Sequence, residues 1–478
     1  MPPSALFLAL DQGGSTSRAL VFDAGGRIVA KSAVAVATAH PAAERVEQDA
    51  EELVRSLRRA IRDAVKQLGR RAGELSAAGL ATQRSSVVAW DRARGAALAP
   101  VLSWQDRRAA AHVAELASHA PRVRELTGLR LSPHYGATKL AWLLDLEPRV
   151  RAALQAGDLA LGPLAAFLVH RLCEERPLVV DAANAARTLL LDVGACAWSS
   201  ELLDLFGVPL TALPRVVGTR HAFGSLDVGG RRIPLAVVTG DQSAAFLSAG
   251  DPEPDVASIT FGTGAFVLRA VRGPLPDAPE LLATLVARED GRSTFALEGT
   301  INGAGAALTW AAAELGAAAA GLDLVAELAR DREPPLFLNG VGGLAAPWWR
   351  AAFVPRFVDD AADADAGARL VAVVESVAFL SAEILLCMER AAGPLRTLRV
   401  GGGLAQLDGL CARLAALSGL RVERHAELET TAVGLARLLG ARPDPPRYEL
   451  FEPGPAPALL ARRARWRAAL EQALGPGA

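Results

Sequence analysis

The sequence predicts an α/β protein with mixed sheets, and three observations carry that expectation. The first is the order of elements near the N-terminus: three short apolar runs separated by turns, then an amphipathic helix, two strands and another helix. The second is size. With 478 residues, 51% of them hydrophobic, the chain holds enough apolar surface for two large or three smaller domains. The third is recurrence, because the opening hairpin returns in shortened form past mid-chain.

Taken in order, residues 5–10 form an apolar run that reads as a buried strand ending at Asp11. Gln12-Gly13-Gly14-Ser15-Thr16-Ser17 makes a tight turn, residues 19–22 return, and Asp23-Ala24-Gly25-Gly26 turns into a third strand at 27–30. A hairpin tip with glycines, hydroxyls and a carboxylate can grip phosphate through backbone amides and orient a Mg²⁺. The same residue types also build ordinary surface turns. Residues 49–68 carry apolar positions at three- and four-residue spacing, acidic residues at the start and Gly69 at the end, so they predict a helix. Strands follow at 77–81 and 87–90. Residues 101–104 lead into Gln105-Asp106-Arg107-Arg108, which opens a helix.

From 134 to 144 the pattern is helical, and 150–220 reads as mainly helical. A strand at 233–238 ends in Thr239-Gly240-Asp241-Gln242, with a helix after it. Gly250-Asp251-Pro252-Glu253-Pro254-Asp255 is the best candidate linker, which places domains at 1–249 and 250–478. The second hairpin is 257–261, Gly262-Thr263-Gly264 and 265–270. Residues 295–299 form a strand before Asn302-Gly303-Ala304-Gly305, and 398–400 runs into Gly401-Gly402-Gly403. Helices are expected at 407–417 and 432–439 with a strand at 420–424 between them. A basic terminal helix at 462–474 reads as a solvated helix packing one apolar face.

Composition narrows the function. A net charge of −1 argues against a general nucleic-acid binder or a binder of anionic membranes. The stretch 370–388 contains Glu375 and Glu383 and reads as a core helix, not a membrane span. The four cysteines form no CxxC, which suits a reducing, cytoplasmic compartment, and no signal peptide is visible. The seven histidines show no metal-ligand spacing. There is no GxxxxGK[ST], no strand followed by G-x-G-x-x-G, and no protein-kinase signature. Four glycine-rich turns, each after a short apolar strand and spread over both halves, point to a nucleotide held between domains.

These motifs together resemble the FGGY family of carbohydrate kinases, within its glycerol kinase-like branch. The carriers are Asp11 to Arg18, Gln83-Arg84, Trp104 to Arg108, Gly136-Ala137-Thr138-Lys139, Asp181 to Thr188, Gly240-Asp241-Gln242, Gly262-Thr263-Gly264 and Gly401-Gly402-Gly403. The resemblance reaches to about residue 440. It implies two actin-like (ribonuclease H-like) domains with an interdomain cleft, the first binding a polyol or sugar and the second binding ATP. Closure of the cleft would exclude water.

Residue by residue, the resemblance implies Asp11 as the Mg²⁺-orienting carboxylate, and Gly14, Ser15, Thr16 and Arg18 as contacts of the transferring phosphoryl group. Asp241 would be the general base. Arg84, Ser85, Trp104, His134, Tyr135, Gln242 and Phe266 would line the acceptor pocket. Gly262, Thr263, Gly305, Thr309, Gly402 and Gly403 would cradle ATP. On the residues alone, Asp241 equally fits a helix N-cap and Trp104 a core aromatic.

Three departures from the family matter. Glycerol kinases carry Arg-Glu where this chain has Arg84-Ser85, and a tyrosine where it has His134 followed by Tyr135. Exchange of a charged partner for a short hydroxyl weakens a contact by about 1.5–3 kcal/mol and leaves room for a longer substrate. The best acceptor is therefore expected to differ from glycerol, with glycerol itself as the alternative. Leu407 replaces a polar residue near the adenine, which leaves nucleotide selectivity open. An actin-fold ATPase is disfavoured by the substrate-side cluster, and a catalytically silent relative by the presence of both Asp11 and Asp241. Dimers and tetramers are familiar in the family, so a homo-oligomer is compatible with the resemblance.

Overall fold

The structure, a computed structural model, describes residues 5–359, 364–426 and 429–475. The chain forms two compact units. The first comprises Met1–Asp251, Thr284–Phe295 and Glu429–Pro445; the second comprises Pro252–Ala283, Ala296–Leu428 and Pro446–Ala478.

The first unit is built on a six-stranded mixed sheet. Its order is Ser225–Val228, Arg231–Gly240, Leu75–Thr82, Leu6–Gln12, Thr16–Asp23 and Ile28–Ala35. The opening run is continuously apolar because both faces of its strand are covered. Leu6, Leu8 and Leu10 share one core with Leu53 and Leu57 of the helix Ala50–Leu68. Phe7 and Ala9 pack on the other face with Leu435, Ala436 and Leu439 of the helix Thr430–Leu439. Period-two alternation thus sends alternate side chains into separate cores. The first helix runs Ala50–Leu68 within the expected range, and Asp49 caps it, its side chain accepting from the Glu51 amide.

Residues 150–220 depart from the expected, mainly helical reading. Short strands occur at Leu159–Pro163, Val179–Asp181, Leu191–Asp192, Ala197–Trp198 and Arg215–Val217. Leu159–Pro163 pairs antiparallel with Val87–Asp91. Such pairings join residues far apart in sequence, and no local periodicity announces them.

The second unit repeats the first in outline. Val256–Phe261 pairs antiparallel with Ala265–Val271 and parallel with Thr397–Gly402. In the first unit Leu6–Gln12 pairs in the same two senses with Thr16–Asp23 and Leu75–Thr82. The expected recurrence of the hairpin is therefore a recurrence of topology.

The helix Ala366–Ala392 is long and apolar enough to cross a membrane by length and composition, yet it lies inside this unit's core with Val374, Val377 and Phe379 buried. Its Glu375 meets Arg462 at 2.6 Å and Arg413 at 3.3 Å, and Glu383 meets Arg463 at 2.7 Å. The terminal helix packs one face into this core, as expected, and those pairs add a charged contact on that face. The helix Pro457–Leu474 buries Arg462, Trp466 and Leu470, because its arginines neutralise the carboxylates of the core helix. All four cysteines are buried and unbridged.

Candidate active site

Three parallel strands of the first sheet end together, and their ends carry the candidate chemistry. Leu6–Gln12 and Arg231–Gly240 lie on either side of Leu75–Thr82. Ala81 is in register with both Asp11 and Thr239, and Thr82 with both Gln12 and Gly240. Asp11, Arg84-Ser85 and Asp241 thereby gather at one sheet edge. Ligands of open α/β sheets bind beyond the carboxyl ends of such strands.

Gly240 is the cap position of the helix Asp241–Phe246, and Asp241 is its first residue, so Asp241 does not take the capping role. Its Oδ1 accepts from the Gln242 amide at 2.7 Å. Thr431 donates to the Asp241 carbonyl at 3.4 Å, and a Cβ at Gly434 would lie 1.8 Å from the Ala244 carbonyl. The helix Thr430–Leu439 therefore rests directly on the backbone that presents Asp241. Arg84 is buried, and its stem lies where a Cβ on Gly240 would sit, 2.7 Å away. Burial raises the Asp241 pKa above the usual carboxylate range, against the pull of the Arg84 and Arg187 charges.

The Asp11 pKa is lifted to about 7, by burial first and by the Asp241 charge second, with Arg18 opposing. Arg18 stands 3.4 Å from Asp11 and 3.7 Å from Glu429. The neighbouring turn is exposed at Gly14 and Ser15. The Gly14 carbonyl accepts from Gln48 at 2.7 Å and Thr38 at 3.2 Å. Gln83 reaches the same turn by donating to Gln48 Oε1 at 2.7 Å.

The acceptor candidates of the first unit also converge. Trp104 is half-buried, not a core residue, and its ring centroid lies 5.7 Å from that of His134. His134 stands edge-on to Tyr135 at 4.9 Å, and the Arg187 guanidinium lies 5.1 Å from the Tyr135 ring centre. Burial, then Arg107, Arg187, Lys139 and Arg84, hold the His134 pKa well below its ordinary value, so the imidazole is neutral. Ser85 adopts a left-handed backbone, φ 64°, and is buried. Its Oγ and Gln242 Oε1 are buried and have no hydrogen-bond partner among the described residues. Buried polar atoms of this kind carry a cost that a bound ligand can relieve.

The remaining candidates stand in the second unit. Gly262, Thr263, Gly305, Thr309, Gly402 and Gly403 form one assembly there, and Phe266 belongs to the adjoining strand. The Thr263 carbonyl accepts from Ala304 at 3.0 Å and Ala306 at 2.9 Å, and Gly305 donates to the Gly262 carbonyl at 3.0 Å. Thr309 turns back onto the Gly305 carbonyl at 3.2 Å. Gly402 has φ 90°, and a Cβ there would lie 2.1 Å from the Phe261 carbonyl, so only glycine fits. The open backbone of Gly401 and Gly403 has no heavy atom within 4 Å of where a side chain would start.

One residue, Glu429, escaped sequence reasoning, and two more, Arg187 and Lys139, lie in motifs singled out there without a role of their own. Glu429 faces Arg18 across most of the chain's length, and no local pattern signals that. Arg187 lies in a motif singled out on other grounds. Lys139 is one of only three lysines among 51 basic residues. A lysine kept at a buried position in an arginine-rich chain was a signal to follow.

Two carboxylates, cations and orphaned polar atoms gathered in the first unit, and a set of glycine turns in the second, are the features of a small-molecule phosphotransferase of the two-domain α/β type. The family model for the FGGY family of carbohydrate kinases, N-terminal domain, matches residues 6–248, and that for the C-terminal domain matches 257–442. The chain belongs to the FGGY family of carbohydrate kinases. It is 37% identical over 441 residues to a glycerol kinase of Aromatoleum aromaticum, covering 91% of this chain and 89% of that one. It is 36% identical over 494 residues to a glycerol kinase of Methylobacterium nodulans, covering 98% of each. The glycerol kinase of Plasmodium falciparum with ADP shares the fold at TM-score 0.87 and 21% identity, covering 98% of both chains.

Proposed function

We propose that this kinase transfers the γ-phosphoryl group of ATP to a hydroxyl of a small polyol or sugar, with Asp241 as general base. The observation that carries the proposal is Asp241 itself: a carboxylate with a raised pKa at a strand end, against Arg84 and near Asp11. The acceptor hydroxyl gives its proton to Asp241, its oxygen forms the new bond to phosphorus, and the bond to the ADP oxygen breaks. Phosphoryl transfer is largely positioning and charge stabilisation, and a base of raised pKa suits late proton transfer. Residues 1–249 supply the acceptor-binding side and 250–478 the ATP-binding side, with Gly262, Thr263, Gly305, Thr309, Gly402 and Gly403 as the nucleotide cradle.

Asp11 is the carboxylate that would hold Mg²⁺. The chemistry fits: Asp11 is a buried carboxylate next to the Asp241 charge, an arrangement that a hard cation relieves. Mg²⁺ is commonly held by one or two carboxylates together with substrate phosphates and water. When bound, the ion neutralises phosphate charge. Arg18, 3.4 Å from Asp11, and the Gly14-Ser15-Thr16 turn are the chain's own contribution to the same phosphates.

For the acceptor, we propose a polyol or sugar longer than glycerol. The support is Ser85, whose buried hydroxyl has no hydrogen-bond partner among the described residues, at the position where the glycerol kinase-like branch carries glutamate. Glycerol is the second reading, favoured by the 36–37% identity to proteins named glycerol kinase. An acceptor panel separates the two: higher kcat/KM for a pentitol or ketose supports the first, and glycerol as clear winner supports the second.

A further inference from the structure

We infer that Lys139 is a positioning residue for the acceptor site, tying together the three backbone segments that carry Arg84–Ser85, Trp104 and His134. Lys139 lies in the first turn of the helix Gly136–Leu146 and has no exposure to solvent. Its Nζ donates to the Ser103 carbonyl at 2.7 Å, the His134 carbonyl at 2.8 Å and the Ser85 carbonyl at 3.1 Å. These three acceptors lie 36, 5 and 54 residues away along the chain. Each belongs to an acceptor candidate or to the residue just before one.

The match of donors to acceptors is complete. A lysine ammonium has three N–H donors and no acceptor, and three carbonyls take them. No other side chain of similar length offers three donors from one point. One of the three carbonyls is that of Ser85, whose left-handed backbone, φ 64°, needs support that local structure does not supply. The same cation stands behind the His134 backbone, while His134 packs on Trp104. Loss of the ammonium would release three buried carbonyls at once and free three walls of one pocket to drift independently. Drift of that kind weakens acceptor binding before it touches the ATP cradle, whose residues lie in the other unit.

This inference rests on the reading of these residues as the acceptor site. Its test uses the full chain with Lys139→Met, which keeps volume and removes every donor, and Lys139→Gln, which keeps two N–H donors. KM is measured separately for ATP and for the best acceptor among glycerol, erythritol, xylitol and xylulose. Lys139→Met is expected to raise the acceptor KM about tenfold or more, with Lys139→Gln between it and wild type. The ATP KM is expected to stay within about twofold. An acceptor KM within twofold of wild type, or parallel rises in both KM values, overturns the positioning role. If Lys139→Met fails to fold, Lys139→Gln decides by the same split. Wild-type ADP release that ignores every acceptor would overturn the acceptor-site reading and this inference with it. Acceptor-dependent release with an unmoved acceptor KM in the variants overturns only the inference.

Discussion

Asp11 is the penultimate residue of one strand and Asp241 directly follows the end of a parallel strand, with one strand between them, and the charge of Asp241 helps lift the Asp11 pKa to about 7. Two strand spacings set their backbones roughly 10 Å apart. At that separation each carboxylate still feels the other's charge. Two acidic groups with different partners can then divide the work. Asp11 has Arg18 beside it, and Asp241 has Arg84.

Asp241→Asn keeps the side chain's shape and removes the base. Turnover is expected to fall by about 10²–10⁴ with the fold intact. The check is ADP release alongside circular dichroism. Because the Asp241 pKa is raised, the acid limb of wild-type kcat/KM should lie above the ordinary carboxylate value of 3.8, with activity lost as pH falls through it.

Asp11→Asn should stabilise the metal-free protein while reducing activity. The folded-state pKa near 7 exceeds the unfolded value of 3.8, so the folded state holds a proton that the unfolded state has released between them. Stability from this group therefore grows as pH falls from above 7 toward 4, and its ionised form is a cost at pH 8. With chelator present, the variant's Tm at pH 8 should exceed wild type by several degrees, since about 1 kcal/mol moves Tm by roughly 2–4 °C in a domain of this size. An unchanged Tm would contradict the burial argument.

The parts of this fold that were legible share one property, a local pattern. The run 6–10 is apolar without interruption because both faces of its strand are covered, and helix 50–68 shows its buried stripe. Asp11, Asp241, Arg84 and the glycine turns stood out because they sit where strands end. The short strands of 150–220 did not: Leu159–Pro163 and Val179–Asp181 pair with distant segments, and the hairpin of Leu191–Asp192 with Ala197–Trp198 is only two residues to a strand. Nor did the return of Thr430–Leu439 to the first unit, where Thr431 meets the Asp241 carbonyl and Gly434 packs on Ala244. The ion pair of Arg462 left no local signal, because its partner, Glu375, lies 87 residues away.

Gly402→Ala meets a backbone conformation at φ 90° and a carbonyl 2.1 Å from the new carbon. The turn must shift, at a cost on the order of 1–3 kcal/mol. A lowered Tm and an ATP KM raised more than the acceptor KM are expected, measured by thermal melt and steady-state kinetics.

Ser85→Glu places a carboxylate where the glycerol kinase-like branch carries one. Glycerol kcat/KM should rise relative to that of a pentitol by about tenfold, the worth of one charged hydrogen bond. The left-handed backbone at Ser85 is retained in that branch's pattern only if the longer side chain tolerates it, so a melt of the variant accompanies the kinetics.

The most direct measurement is a coupled ADP-release assay with ATP and Mg²⁺ against glycerol, erythritol, the pentitols, ribulose, xylulose and hexuloses, run in parallel for wild type and Asp241→Asn. Release that depends on the acceptor, peaks with one other than glycerol and collapses in the variant is the predicted result. Release that proceeds equally without any acceptor, or that survives in Asp241→Asn, would contradict it.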